Sequence, residues 1–392
     1  MNDAFLRTSK ASIIDGKGQR MRLKGVNFGG WLMMEAYFMH APNTPEQLMK
    51  KGFAKTLGDK ALADLEFSFR RNFIQEQDLR RVALWGFNCV RLPFNCRLIE
   101  NNPAGFKYLD ETLDWANKYN VYVILDLHAA PGSQNPDWHS DSFGKAGLWT
   151  KKSNRHRVYA LWELLADRYK DEPMIAGYDL LNEAVLEDAA ILNEFYRETI
   201  KAVRRCDKNH ILFVEGKHWA QDIAVLDDFP DDHWVYSIHF YEPMEFTFNL
   251  TPHLRYPLAS QQGIWNKDVM HKRMEGYFKF AKAKQRPIHV GEFGVNYRGG
   301  LYGEHAYVKD LVKCFNDFGF HWNYWTYKAV KHYMFPDGLL SYYPNPPWVH
   351  RAGPVSGWDR WKDLWPKHQK DMAASWRTGA FTLNEPVLKA LQ

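Results

Sequence analysis

The sequence predicts an α/β protein built as one (β/α)8 barrel, the TIM-barrel architecture, because eight short apolar segments alternate with helical ones. Parallel strands need crossover connections, and eight such units can close into a barrel. Polar residues also recur at the carboxyl ends of these segments, where such barrels carry their active sites. The candidate strands cover residues 23–27, 88–94, 121–128, 175–183, 211–215, 234–241, 287–294 and 322–328.

One domain accounts for the whole chain, because no Gly- or Ser-rich linker and no internal repeat divides residues 1–392. An open, doubly wound sheet is the structural alternative. No GxGxxG motif follows the first strand, which weakens a nucleotide-binding version of that sheet.

The composition argues against a nucleic-acid or membrane partner. The 51 basic and 46 acidic residues give a net charge of +5, which indicates a mixed surface rather than a polyanion-binding one. No apolar run reaches the ~18 residues of a membrane span. The N-terminal MNDAFLRTSK has no apolar signal core, so we expect a cytoplasmic protein unless a signal was removed. The four cysteines have no metal-binding spacing and are expected to be reduced thiols.

The N-terminal segment is predicted to close the bottom of the barrel. Residues 12–25 have the pattern of a hairpin, since Asp15-Gly16 separates two apolar runs. The first strand then leads into Gly29-Gly30, and Pro45-Glu46 starts a helix within a long, mainly helical insertion.

Helical periodicity fills the spaces between the later strands. The predicted helices cover residues 73–85, 109–119, 155–169, 193–204, 220–226, 268–284, 304–318 and 385–391. After the eighth strand, residues 329–376 are predicted to be a long loop, which either forms a lid over the active site or packs on the barrel. Its aromatic residues include Tyr342, Tyr343, Trp348, Trp358, Trp361 and Trp365.

Eight polar or aromatic residues lie at the carboxyl ends of the candidate strands. They are Arg91, His128, Asn182, Glu183, His239, Tyr241, Glu292 and Trp325. Each of them taken alone is more often structural than functional. Their joint placement at one predicted rim of the barrel is hard to explain by chance, so we assign them to one site.

Two of these residues, Glu183 and Glu292, form the predicted catalytic pair. Strand ends across a barrel mouth can place two carboxylates ~5–6 Å apart, the separation of a retaining glycosidase. Tyr241 and Arg91 are positioned to hold Glu292 ionised as the nucleophile. Glu183 would be the acid/base, with a pKa raised by burial and by its neighbour, and Asn182 would bind the sugar 2-hydroxyl. The 16 Trp and 20 Tyr residues offer flat faces for sugar rings.

Together these motifs resemble glycoside hydrolase family 5, the cellulase-like family of (β/α)8 glycosidases. They are Asn182-Glu183, Glu292 in GEFG, His239-Phe240-Tyr241, Arg91-Leu92-Pro93, Asp126-Leu127-His128 and Trp325. The resemblance implies a retaining double displacement on β-glucans or on β-gluco- or manno-oligosaccharides. It implies that Arg91, His128, Asn182, His239, Tyr241 and Trp325 line the sugar subsite at which cleavage occurs. It implies no cofactor and no metal.

Within that family, two segments look most like the exo-β-1,3-glucanase and β-glucosidase branch. They are Phe28-Gly29-Gly30-Trp31-Leu32 and the run from His128 to Asn135. An exo-acting enzyme is therefore expected, with an endo-β-1,4-glucanase as the alternative. Two other classes are weaker. A non-catalytic carbohydrate-binding barrel would not need both carboxylates, and a metal-dependent hydrolase would need histidine ligands that the first strand lacks.

Overall fold

The computed structural model describes residues 5–260, 263–342 and 357–392. Its strands are β1 (Arg7–Ser9), β2 (Ser12–Ile14), β3 (Arg20–Met21), β4 (Lys24–Asn27), β5 (Cys89–Asn95), β6 (Tyr122–Ala129), β7 (Ile175–Asp179), β8 (Ile211–Glu215), β9 (Trp234–His239), β10 (Leu258–Ser260), β11 (Gly263–Trp265), β12 (Ile288–Glu292), β13 (His321–Tyr324), β14 (Lys328–Val330), β15 (Leu340–Tyr342) and β16 (Thr382–Leu383). Its α-helices are α1 (Glu46–Leu57), α2 (Asp59–Phe73), α3 (Glu76–Leu84), α4 (Phe106–Tyr119), α5 (Gly147–Thr150), α6 (Lys152–Tyr169), α7 (Ala189–Cys206), α8 (Lys217–Ala220), α9 (Met244–Thr247), α10 (Lys267–Ala283), α11 (Glu304–Phe318), α12 (Trp361–Trp376) and α13 (Glu385–Leu391).

The predicted barrel is confirmed. Strands β4 to β9 pair in sequence, β9 pairs with β12, β12 with β13, and β13 returns to β4, so that the sheet is closed. Every one of these pairs is parallel. Parallel pairing brings all eight carboxyl ends to one rim, and the register places Asn27 beside Arg91 and His239 beside Glu292.

The N-terminal hairpin closes the opposite end of the barrel. Strands β2 and β3 pair as predicted, and β1 adds a third strand that the sequence did not indicate. Leu6 and Ile13 pack into an apolar cluster with Leu23, Cys89 and other residues from the amino-terminal halves of the barrel strands. This cluster excludes water from the bottom of the barrel.

The largest differences from the predicted elements are at two strand ends and in one helix. The strand expected over residues 175–183 ends at Asp179, and the chain turns through a left-handed backbone four residues later, at Glu183 (φ 48°). The eighth barrel strand ends at Tyr324, and Lys328 begins a separate sheet instead. The helix expected over residues 220–226 is replaced by α8, a single turn in which His218, Trp219 and Ala220 have left-handed φ, and by a 3-10 turn, Ile223–Val225.

The segment 329–376 is not one long loop. Its second half forms α12, whose Trp361 and Trp376 pack against Phe69 of α2 and whose Trp365 faces Phe53 of α1. These contacts attach the helix to the outside of the barrel, so this half cannot be a lid. The side chains of Tyr342, Tyr343 and Trp348 lie outside the described residues, and a lid role for that part stays a prediction.

All four cysteines are free thiols, and Cys89, Cys96 and Cys314 are buried. Within the described part of the chain, no helix combines the length and apolarity needed to cross a membrane.

Lys328 anchors α12 to the barrel from a buried position. Its ammonium donates to the backbone carbonyls of Phe73 and Trp376 and to Thr378 Oγ1. Burial lowers the pKa of Lys328 from 10.5 to about 7, and the nearby charge of Asp78 opposes this only in part. The carboxyl ends of α2 and α12 therefore depend on a lysine that folding makes easier to deprotonate.

We expect folding stability to rise with pH between about 7 and 10 through Lys328. In this range the unfolded chain holds the lysine proton and the folded chain does not, so deprotonation favours the fold. At ~1.4 kcal/mol per pKa unit, the gain from pH 7 to 9.5 is about 3 kcal/mol. Urea unfolding at both pH values measures it. Lys328→Met should lose this increment and the exposed control Lys367→Met should keep it; equal pH dependence in all three proteins would contradict the assignment.

Candidate active site

Arg91 lies at the centre of the rim described above, fully buried on β5. Its guanidinium donates through Nε to Asp179 (2.9 Å), through Nη1 to Glu292 (2.8 Å) and through Nη2 to Asn182 Oδ1 (2.8 Å). Asp126 and Glu215 lie 3.1 and 3.2 Å from Nη2. One cation therefore orients the ends of several strands at once.

Glu183 and Glu292 face each other above this arginine. Both are buried, and one carboxylate oxygen of each lies within 4.8 Å of the other. Glu292 accepts a hydrogen bond from the Tyr241 hydroxyl at 2.8 Å in addition to the bond from Arg91. The separation falls at the short distance of retaining glycosidases and below the ~6.5–9.5 Å that inverting enzymes need for a water molecule.

His239 links the two carboxylates to a third. Its Nδ1 lies 2.7 Å from Glu183 Oε1 and 3.6 Å from Glu292 Oε2, while Nε2 lies 3.1 Å from Glu215 Oε1. Glu215 also accepts a 2.6 Å hydrogen bond from the backbone N–H of Glu183. Glu215 thus holds both the imidazole and the left-handed turn that presents Glu183.

His128 and Trp325 form one side of the cavity above the pair. Their rings are stacked at 5.4 Å, and the indole N–H donates to the Tyr37 hydroxyl at 2.6 Å. His128 Nδ1 bonds Asp126 at 2.8 Å, and its Nε2 faces Glu35 Oε1 at 3.5 Å. That oxygen of Glu35 is buried and makes no hydrogen bond among the described residues, and the imidazole of His128 is the group that faces it.

The structure brings all eight predicted site residues together, in two layers. Glu183, Glu292, Tyr241, His128 and Trp325 line a cavity of about 420 Å³, while Arg91, Asn182 and His239 lie beneath it. Asn182 Oδ1 accepts a hydrogen bond from Arg91, and within the described chain its Nδ2 has no hydrogen-bond partner. Because Asn182 is fully buried beneath the cavity, its bond to a sugar 2-hydroxyl stays a prediction.

The predicted directions of the two pKa shifts are reversed in the free protein. Burial opposes ionisation of Glu183, but the hydrogen bond and charge of His239 prevail and lower its pKa to about 2. Burial raises the pKa of Glu292, against the charges of His239 and Arg91. His239 carries the missing proton: burial disfavours its charge, yet Glu215 and Glu292 raise its pKa well above 6.5. The sequence could not indicate that an imidazole would sit directly against Glu183.

His128 is also positively charged. Burial disfavours the charged ring, but the carboxylate of Asp126 raises the pKa of His128 to about 10. Beneath the cavity, burial and the charge of Glu215 raise the pKa of Asp179 well above its usual range, which reduces the negative charge around Arg91.

Glu183, His239 and Glu292 are also the one group among the described residues that could ligate a metal ion. The donor set does not suit that purpose, because the protonated ring of His239 offers no lone pair. Both of its nitrogens already face carboxylates at 2.7 and 3.1 Å.

Several residues of the site were not predicted. Glu215 satisfies the same strand-end rule as Glu183 and could have been found by applying that rule to the fifth strand. Glu35, Tyr37, Asp137 and His139 reach the cavity from loops that have no periodic signal. Only the fold brings these loops together.

Five aromatic side chains form a wall around much of the cavity mouth. Trp138, Tyr37, Phe335, Phe248 and Tyr241 are joined in this order by ring contacts of 5.0–6.0 Å and all line the cavity. This aromatic wall runs from the loop after β6, past β4 and β13, to the loop after β9. The rim above β7 and β8 lies outside it.

The known proteins that this chain is similar to are consistently glycoside hydrolases. The family model described as cellulase (glycosyl hydrolase family 5) matches residues 53–331. A β-xylosidase of Phanerodontia chrysosporium is 32% identical over 348 residues, 83% of this chain and 71% of that protein. Endoglucanase C of Acetivibrio thermocellus is 28% identical over 299 residues, 66% of this chain and 85% of that protein. The solved endoglucanase Cel5A of Thermotoga maritima shares the fold, with a TM-score of 0.63, 20% identity and coverage of 94% and 97%.

Proposed function

Because the chain belongs to glycosyl hydrolase family 5 and is therefore a glycoside hydrolase, we propose that it is a retaining, exo-acting β-glycosidase of β-gluco-oligosaccharides. It would release the terminal sugar at the non-reducing end through a covalent glycosyl-enzyme. The observation that carries the exo proposal is the aromatic wall, which closes one side of the catalytic cavity.

The carboxylate separation supports the retaining step. With less than 4.8 Å between the nearest ligand oxygens of Glu183 and Glu292, a nucleophilic carboxylate fits better than an interposed water. Glu292 would attack the anomeric carbon as the bond to the leaving oxygen breaks, and Glu183 would protonate that oxygen. Glu183 would then take a proton from the water that releases the sugar from Glu292.

The wall and Glu35 together support exo action. A sugar bound over Glu292 would have its non-reducing end against Tyr37 and Phe335. The aromatic wall would leave no space there for a further sugar unit. Glu35 and His128 supply a carboxylate and a cationic ring at this closed end, and both can bind hydroxyl groups. Glu183 lies toward the part of the rim outside the wall, which gives the leaving group its exit.

A product profile tests the proposal. The substrates are cello-, laminari- and manno-oligosaccharides of three to five units labelled at the reducing end, with aryl β-glucoside and β-xyloside beside them. We expect a monosaccharide as the first product, and the labelled oligosaccharide should shorten by one unit at a time. The released sugar should be the β-anomer in early NMR spectra. Oligosaccharides of mixed length as first products would instead support an endoglucanase, the activity for which the Acetivibrio relative is named. An α-anomer would exclude retention.

A further inference from the structure

His139 places a second imidazole against the predicted acid. Its Nε2 lies 3.6 Å from Glu183 Oε2 and 3.6 Å from Asp137 Oδ2. The first imidazole, that of His239, contacts the other oxygen of the same carboxylate, Oε1, at 2.7 Å. Each oxygen of Glu183 therefore faces a histidine ring, one from the end of β9 and one from the loop after β6.

The loop that carries His139 is fixed to the backbone of Glu183. Asn135, which is fully buried, donates from Nδ2 to the carbonyl of Glu183 at 3.0 Å, and its Oδ1 accepts the backbone N–H of Asp137 at 3.0 Å. Ser140 Oγ donates to the carbonyls of Asn135 and Asp137, both at 2.9 Å. A hydrogen-bonded turn thus holds His139 at its distance from the acid.

The groups around His139 favour its charged form. Burial opposes the positive charge, but three carboxylates raise the pKa of the ring above 6.5. They are Asp137 beside it on the loop, Glu183, and Glu35 from the loop after β4. The nearest ring that is also positively charged is that of His128, with centroids 6.4 Å apart, and Asp126 already balances it at 2.8 Å.

The first chemical step removes the positive charge from the other ring. The bond between the anomeric carbon and the leaving oxygen breaks as Glu292 forms the ester, and the leaving oxygen takes the proton that His239 and Glu183 share. His239 is then neutral, and Glu183 is a buried carboxylate. A buried carboxylate is costly unless a cation pairs with it. His139 still faces it as a cation.

We propose that His139 is a positioning residue for the reaction, the counter-ion that stabilises the Glu183 carboxylate once the proton has left with the leaving group. The inference rests on the proposed function, which assigns the acid role to Glu183. Asp137 keeps the ring charged by facing the same nitrogen. A substrate whose leaving group needs no proton leaves that proton on the His239–Glu183 pair, so it gains much less from His139.

A series of substituted phenyl β-glucosides tests the counter-ion, because its members share a glycone and have leaving groups of similar size. In His139→Gln, kcat/KM for phenyl β-glucoside should fall about thirtyfold, less than the loss of the acid itself. For 2,4-dinitrophenyl β-glucoside, whose phenolate needs no proton, the loss should be no more than about threefold. The matched control His156→Gln, exposed on α6, should keep wild-type rates. Equal losses across the series would overturn the proposal, since a purely structural defect acts on every member alike.

The charge and the pairing have readouts of their own. The excess loss on phenyl β-glucoside should shrink as the pH rises through the pKa of His139, because the wild type then loses the same charge. In an NMR titration, the His139 ring should have a pKa about one pH unit lower in Glu183→Gln than in the wild type, and an unchanged one in Glu245→Gln. If the wild type cleaves no glucoside, the proposed function fails and the titration still tests the pair: an equal pKa of His139 in Glu183→Gln and wild type overturns it.

Discussion

Glu292→Gln should abolish hydrolysis of every substrate, with a loss of kcat/KM on the order of 10⁵-fold, the scale seen when a covalent enzyme loses its nucleophile. Glutamine keeps the shape, and its one amide oxygen can still accept from Arg91, while its NH2 group donates to the Tyr241 hydroxyl; in the wild type both donors bond Glu292 at 2.8 Å. It cannot form the glycosyl ester. Initial rates on aryl β-glucoside and on the best oligosaccharide measure the loss.

The matched control is Glu245→Gln, an exposed glutamate outside the cavity, which should keep wild-type rates. Azide provides a positive test: with Glu292→Ala it should occupy the vacated space, attack the anomeric carbon and give an α-glycosyl azide. Retention of more than a few per cent of the rate by Glu292→Gln, in protein that unfolds at the wild-type Tm, would show that another group is the nucleophile.

The strand-end rule predicted the centre of this site from sequence because it is a consequence of topology. Once eight parallel strands close, Arg91, Glu183, His239 and Glu292 have no other place to meet than one rim. The rule needed only the right strands, and errors of several residues at the ends of β7 and β13 did not disturb it. What it could not supply was the order of contacts within the rim.

Contacts between loops were beyond the sequence for a physical reason. Glu35, Tyr37 and Trp138 come from irregular segments, where apolar residues do not repeat every 2.0 or 3.6 residues. Only the closed barrel makes these side chains neighbours. Helix α12 was missed because Pro366 and a run of tryptophans suggested a loop. The helix bends at His368 (φ −127°) and is held by packing on α2 instead.

The location of one proton decides how Glu183 acts. His239 Nδ1 and Glu183 Oε1 are 2.7 Å apart, so the two groups share a proton. Whether that proton is on the imidazole or on the carboxyl group, the pair as a whole carries the same number of protons. In the free protein that proton rests on His239. A sugar that excludes water from the cavity raises the pKa of Glu183, which moves the balance toward the form that can protonate a leaving oxygen.

Glu183→Gln should therefore separate substrates by their leaving groups. For oligosaccharides, kcat/KM should fall about 10³-fold, the contribution of a general acid. For 2,4-dinitrophenyl β-glucoside, whose phenolate needs no proton, formation of the glycosyl-enzyme should be spared and its breakdown slowed, so a burst should appear. Azide with Glu183→Ala should give a β-glycosyl azide, opposite to the product from Glu292→Ala. A uniform loss across leaving groups would contradict the acid role.

The pH profile of the wild type should report the same proton. Because deprotonation of the His239–Glu183 pair removes the acid, kcat/KM on oligosaccharides should hold until the pH passes the pKa of His239, which lies well above 6.5. The fall at alkaline pH should be weaker for 2,4-dinitrophenyl β-glucoside, which needs no acid. His239→Gln withdraws the charge that stabilises the Glu183 carboxylate, so the fall should then follow Glu183 alone and move to a different pH. A basic limb that His239→Gln leaves in place would assign the proton to another group.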